Sequence, residues 1–184
     1  AAAAGSTLNG DLTATGAITL NGASTVDGGL TAASFTSNAA LTMVGDLDVS
    51  GAAALNGAAS ITGDVTADSL TTGSTLALKG DLVAANGVTL GGASTITGNV
   101  KSGNFTSDGT LALVGGLTST GDALFNGATT VNGDVTAHSI TANDAFGLTG
   151  DATATGAIAL NGATSLSGDL TAVSIALNGA TTLT

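Results

Sequence analysis

Apolar and polar positions alternate along this chain in short bursts rather than in long amphipathic stretches. From Leu12 the residues read LTATGA, ITLNGA, STVDGG, LTAAS, FTSNAA and LTMVGD. In each piece the first and third positions are apolar or small, and the residue between them is Thr. Alternation with a period of two marks a strand with one buried face. Each predicted strand runs for about three residues before glycine or another small residue turns the chain.

The pieces belong to a larger unit. The 35 residues Gly10 to Val44 fit the chain five times, from Gly10 to Thr184, with no insertion or deletion. Repetition at such a period marks a stacked architecture in which each unit buries its apolar face on its neighbours. Gly-Asp or a near equivalent starts at Gly10, Gly28, Gly45, Gly63, Gly80, Gly98, Gly115, Gly133, Gly150 and Gly168, so half-repeats of 18 and 17 residues alternate. Three strands per half-repeat close one triangular coil. The predicted fold is all-β, a parallel β-solenoid (triangular β-helix) of ten coils of alternating 18 and 17 residues. It forms a single domain over 10–184, with repeats at 10–44, 45–79, 80–114, 115–149 and 150–184. Residues 1–9 read as a partial preceding repeat, because Leu8 falls in the column of Met43, Leu78, Leu113, Leu148 and Leu183. At the spacing of paired strands, ten coils make a rod roughly 45 to 50 Å long.

One wide coil of all 35 residues would need a bulky interior, yet Ala14, Ala32 and Ser37 stand at inward positions. Close packing therefore favours the narrow triangle. The halves also complement each other in volume. Leu20 places its bulk third in its strand and Phe35 places its bulk first in the strand stacked on it. Large over small is what an interdigitated core requires. The expected core columns include Leu12, Leu47, Leu82, Leu117 and Ala152; Leu20, Leu55, Leu90, Phe125 and Leu160; Val26, Ile61, Ile96, Val131 and Leu166; and Phe35, Leu70, Phe105, Ile140 and Ile175. All four Phe, Phe146 included, fall in inward columns, which leaves no aromatic side chain to stack on a base or a cofactor.

Composition supports this picture. Aromatic residues are 2% of the 184, and Pro, Cys, Trp and Tyr are absent. A conventional core could not be built from such a set, whereas a solenoid needs only thin stacks of small aliphatic residues. A chain without Pro suits strands that nearly all lie inside a sheet, where a missing N–H would break a ladder bond. Positive mean hydropathy and strict register argue against disorder. Lys79 and Lys101 are the only basic residues and the formal net charge is −11, so nucleic acid is not an expected partner. Neither a basic leader followed by an apolar segment nor any other pattern predicts a signal peptide or membrane insertion.

Candidate chemistry is acidic. All thirteen acidic residues are Asp, and Asp11, Asp46, Asp64, Asp81, Asp134, Asp151 and Asp169 each follow a corner glycine. They are expected to stack along one edge, interrupted by Gly29, Asn99 and Gly116. Neighbours one coil apart repel by about 0.9 kcal/mol at water's dielectric. Calcium, a hard cation that takes oxygen ligands, would relieve that repulsion, so these seven residues form a candidate weak calcium edge. The simpler reading is that Asp favours the turn and keeps an acidic rod soluble, with no cofactor. Asn21, Asn56, Asn126 and Asn161, with Gly91 the exception, predict a second stack of hydrogen-bonded corner amides. Outward Thr13, Thr31, Thr66, Thr118, Thr136, Thr153 and Thr171 suit a solvated strand face. A Thr row also suggests ice binding, but the next outward position holds Thr15, Ala33, Ser50, Asp68 and Ala85, so no paired Thr grid persists.

His138 is the single histidine. The hexads resemble those of hexapeptide-repeat acyltransferases, left-handed β-helices many of which act through a histidine. Those repeats usually begin with an aliphatic residue followed by Gly, Ala or an acid, whereas Thr mostly follows here, and no insertion builds a pocket. The chain is therefore expected not to be an enzyme.

The segments GDVTADSL and GDVTAHSI, at Gly63 and Gly133, resemble bactofilins, bacterial cytoskeletal β-helices that polymerise end to end. The phrases LNGAST and TATGAITLNG resemble the Thr/Gly/Ala-rich repeats of bacterial surface adhesins and phage fibre proteins. Both resemblances imply a repeat solenoid in a fibrous assembly, and the bactofilin likeness implies a cytoplasmic filament. Asp-only acidity with abundant Thr and Ser suits an extracellular or cell-surface setting instead. Both ends of the sequence look like its middle, and an uncapped solenoid offers unpaired backbone groups to another chain. The expected function is structural: an extracellular fibre formed by head-to-tail stacking with itself, or a segment of a longer repeat array. The alternative is an adhesin, phage fibre or ice-binding rod acting through its Thr-rich face.

Overall fold

Residues 5–184 are described by the computed structural model; Ala1 to Ala4, part of the segment assigned above to a partial repeat, lie outside the described residues. Short alternating segments pair with their counterparts one coil away, always in parallel, and the result is a β-solenoid with three faces. The first face starts at Leu12–Thr13 and ends at Leu170–Thr171. The second runs from Ala17–Leu20 to Ser174–Leu177, and the third from Ser6–Asn9 through Ser24–Asp27 to Thr181–Leu183. Ten strands follow one another along the first face, one for each predicted coil.

Stacked positions agree with the predicted columns. On the third face Val26 pairs with Met43, Met43 with Ile61, and the column continues to Leu166 and Leu183. Whereas Ile18 pairs with Phe35 on the second face, large on large, Leu20 pairs with Ser37, the large-over-small arrangement expected from volume. It persists as Leu20, Ser37, Leu55, Thr72, Leu90, Ser107, Phe125, Ala142 and Leu160, all buried. The small members leave room for the large ones, and each buried Leu contributes about 1.5–3 kcal/mol over exposure. Ser37 and Ser107 each donate their hydroxyl to a carbonyl two residues on, Ala39 and Gly109, at 3.0 and 3.1 Å. Phe105, Phe125 and Phe146 form a tilted aromatic series inside the rod, with centroids 5.7 and 5.3 Å apart.

One feature differs from the expected three-residue strands. In four coils the chain runs unbroken round the corner between the first and second faces, as Leu47–Leu55, Val65–Thr72, Leu82–Leu90 and Val100–Ser107. The unequal coil lengths are reconciled at this corner. Leu12 pairs with Leu30, an offset of 18, whereas Ile18 pairs with Phe35, an offset of 17. The extra residue of one half is absorbed as a bulge, between Ala67 and Ser69 and again between Ala84 and Gly87. A bulge bends a strand without ending its ladder, so pairing survives the corner.

Candidate functional site

The Asp edge lies at the corner where the third face passes into the first. Here the chain turns at glycines such as Gly45, which carries φ +132 and lies against the Gly28 carbonyl of the coil below. That close approach brings the next residue's N–H under the carboxylate of the preceding coil. The backbone N–H of Asp64 donates to Asp46 Oδ1 at 2.8 Å, and that of Asp81 donates to Asp64 Oδ1 at 2.8 Å. Asn99 and Gly116 continue the series, with N–H donors 2.7 and 2.9 Å from Asp81 Oδ1 and Asn99 Oδ1. The same bond joins Asp151 to Asp134 and Asp169 to Asp151, each at 2.9 Å, and Gly29 to Asp11 at 2.8 Å. All seven predicted residues thus share one edge, and the carboxylates of Asp11, Asp46, Asp64, Asp81, Asp134 and Asp151 each accept from the coil above. Charge-assisted bonds from backbone N–H groups offset the repulsion between neighbours. Among the described residues no group of three or more His, Cys, Asp or Glu side chains is arranged to hold a metal ion.

The amide edge lies at the corner between the second and third faces and is longer than the sequence suggested. Asn38 donates its side-chain amide to Asn21 Oδ1 and Asn56 donates to Asn38, both at 2.9 Å. A second run joins Asn126 to Asp108, Asn143 to Asn126, Asn161 to Asn143 and Asn178 to Asn161 at 2.7 to 2.9 Å. Gly73 and Gly91 separate the two runs. Asn38, Asp108, Asn143 and Asn178 were missed by comparison at the full 35-residue period, whereas an offset of 17 or 18 brings them into the column. In both ladders the donor always belongs to the later coil and the acceptor to the earlier one.

His138 is exposed, with Nδ1 3.0 Å from Thr155 Oγ1 one coil away. Its backbone N–H donates to the Gly121 carbonyl at 2.8 Å, and its carbonyl accepts from Gly156 at 2.7 Å. The imidazole is a rung between coils. The outward Thr row of the first face is broken at mid-rod, where Asp48, Val83 and Lys101 take the same place.

Two hollows mark the surface. A groove of about 1000 Å³ runs along the rod beside the third face, floored by residues such as Ala40, Thr42, Ala93, Thr95, Ala128 and Thr130, with no charged side chain in its lining. The other, of about 510 Å³, opens on the last coil among Leu170, Ile175, Leu177 and Leu183. Ile175, Leu177 and Leu183 are 43%, 41% and 59% exposed, whereas Ile158, Leu160 and Leu166 directly beneath them are each 1% exposed. The last coil is thus built like an interior one, with one side of its apolar columns uncovered.

No family model, curated protein or solved structure matches the chain. Fold and surfaces together define a repeat protein of the parallel β-solenoid class.

Proposed function

We propose that this chain is a structural element of an extracellular fibre, extended by continued strand pairing at the ends of its coil stack. The observation that carries the reading is the unbroken coil stack, in which Ile158, Leu160 and Leu166 are each 1% exposed between the coils on either side of them. Each coil added to such a stack buries large aliphatic side chains and a row of strand edges, and the coils of another copy would make the same gain. The partner in this reading is a second copy of the chain, stacked head to tail. A heterologous contact of this kind propagates without closing, which gives a filament. The chain catalyses no reaction in this role, and its acidic surface keeps the filament dispersed.

Negative-stain microscopy of the purified 184-residue polypeptide tests the proposal. Long unbranched filaments with a cross-β repeat of about 4.8 Å along their axis are expected. A population of discrete rods, unchanged at high protein concentration, would replace the fibre by a monomeric binding rod.

A further inference from the structure

Four corners of the amide edge carry the tripeptide Asn-Gly-Ala, starting at Asn21, Asn56, Asn126 and Asn161. The ladder does not hold them equally. Asn126 donates its side-chain amide to Asp108 and accepts from Asn143, and Asn161 donates to Asn143 and accepts from Asn178, all at 2.7 to 2.9 Å. Asn56 donates to Asn38 at 2.9 Å, but the place above it belongs to Gly73, and no donor reaches Asn56 Oδ1 among the described residues. A Cβ built on Gly73 would lie 3.3 Å from the Asn56 carbonyl oxygen and 3.5 Å from Asn56 Cα, so the gap lies directly over Asn56.

An Asn followed by Gly is open to attack by its own backbone, because the glycine nitrogen has no side chain beside it and the chain there turns freely. At these corners that nitrogen is available. The N–H groups of Gly57, Gly127 and Gly162 have no backbone acceptor among the described residues, and Asn56, Asn126 and Asn161 are exposed to water. Gly10 and Gly133, which also follow Asn, instead donate their N–H to the Asp27 and Thr149 carbonyls at 2.7 and 2.9 Å. The three corners thus share a free nucleophile, and only the hold on the side-chain amide differs.

We propose that Asn56 is a site of spontaneous deamidation, singled out from the equivalent corners by the gap in the ladder at Gly73. Water is the co-reactant. The Gly57 nitrogen gives its proton to solvent and bonds to Asn56 Cγ; the Cγ–Nδ2 bond breaks, and Nδ2 takes a proton from solvent and leaves as ammonia. Water then opens the resulting cyclic imide at either carbonyl. Opening at Cγ leaves Asp at this position, and opening at the backbone carbonyl leaves an isoaspartyl link that adds a methylene to the main chain. To reach the imide the side chain must turn out of the ladder, and Asn56 has one bond fewer to release than Asn126 or Asn161. Both products lack the Nδ2 donor, so the bond to Asn38 is lost and a carboxylate replaces the amide. The isoaspartyl product also lengthens a corner where Gly57 lies against the Ala39 backbone without room for a Cβ. Deamidation therefore loosens the stack at this coil first.

Peptide mass spectrometry tests the proposal. The full chain is incubated in mildly alkaline buffer, then unfolded and digested with pepsin at low pH, where further imide formation is slow. Asn56 is expected to lose ammonia about fivefold faster than Asn126 and Asn161, the effect of one hydrogen bond. In urea, with the fold lost, the three rates are expected to converge. Gly73→Asn, which sets an amide donor over Asn56, is expected to slow Asn56 to the rate of Asn126. Asn143→Gly, which opens the same gap above Asn126, is expected to quicken Asn126. Circular dichroism confirms that each variant keeps its strands. Equal rates at the three sites in the folded chain, or the same ranking in urea, overturn selection by the ladder. An Asn56 that stays intact in the folded chain while it converts in urea overturns the site itself. Unchanged rates at the target residue in both variants overturn the gap as the selecting feature.

Discussion

At Gly45 the backbone carries φ +132, and a Cβ there would lie 2.5 Å from both the carbonyl carbon and oxygen of Gly28. Two independent demands, a left-handed backbone and an absent side chain, meet in one residue. Gly45→Ala is expected to cost about 1–3 kcal/mol from backbone strain alone, with the clash added to it. Gly16 offers the control, since a Cβ at Gly16 would meet nothing within 4 Å and its φ is not left-handed. Gly16→Ala is expected to change stability by less than about 0.5 kcal/mol. Thermal unfolding of the two variants side by side should separate them by several degrees; coincident melting curves would show that the corner can open to admit a side chain.

A single edge behaves as an element in its own right, because each rung shares atoms with the next. Asp64 accepts from Asp81 N–H and donates its own N–H to Asp46, so it lies between two like charges and takes part in two bonds. The chain itself shows that Asn serves in this place, since Asn99 Oδ1 accepts from Gly116 N–H at 2.9 Å. Asp64→Asn is therefore expected to keep both bonds, remove repulsion on both sides and raise the melting temperature at low salt. The gain should fade in 1 M salt, where the screening length is about 3 Å. Asp64→Ala loses the acceptor and is expected to melt lower than the parent at every ionic strength. If Asn and Ala variants melted together, the oxygen at this position would have no part in the ladder.

For the whole molecule, a formal charge of −11 opposes every contact between copies. Filament growth is expected to accelerate as ionic strength rises from 10 mM to 1 M, over which the screening length falls from about 30 to 3 Å. Light scattering at a fixed protein concentration measures this directly. Sodium and calcium chloride at matched ionic strength are expected to act alike. A gain specific to calcium would assign the Asp edge a cation-binding role.

Periodicity alone was enough to identify the strands, their parallel stacking and the columns led by Leu20 and Val26. In a solenoid, residues one coil apart in sequence are neighbours in space, so a repeat is already a contact map. The Asp edge was legible for the same reason, as a column of one residue type after a corner glycine. What periodicity does not contain is direction and path. A column of Asp says nothing of whether a carboxylate faces the next coil's N–H, and that orientation depends on how closely the corner glycines approach. The meeting of an 18-residue and a 17-residue coil could be reconciled at any corner, and only the folded backbone puts the bulge beside Ala67 and Ser69. Asn38, Asp108, Asn143 and Asn178 fall in the amide column at an offset of 17 or 18, but only the folded corner shows their side chains bonded from coil to coil.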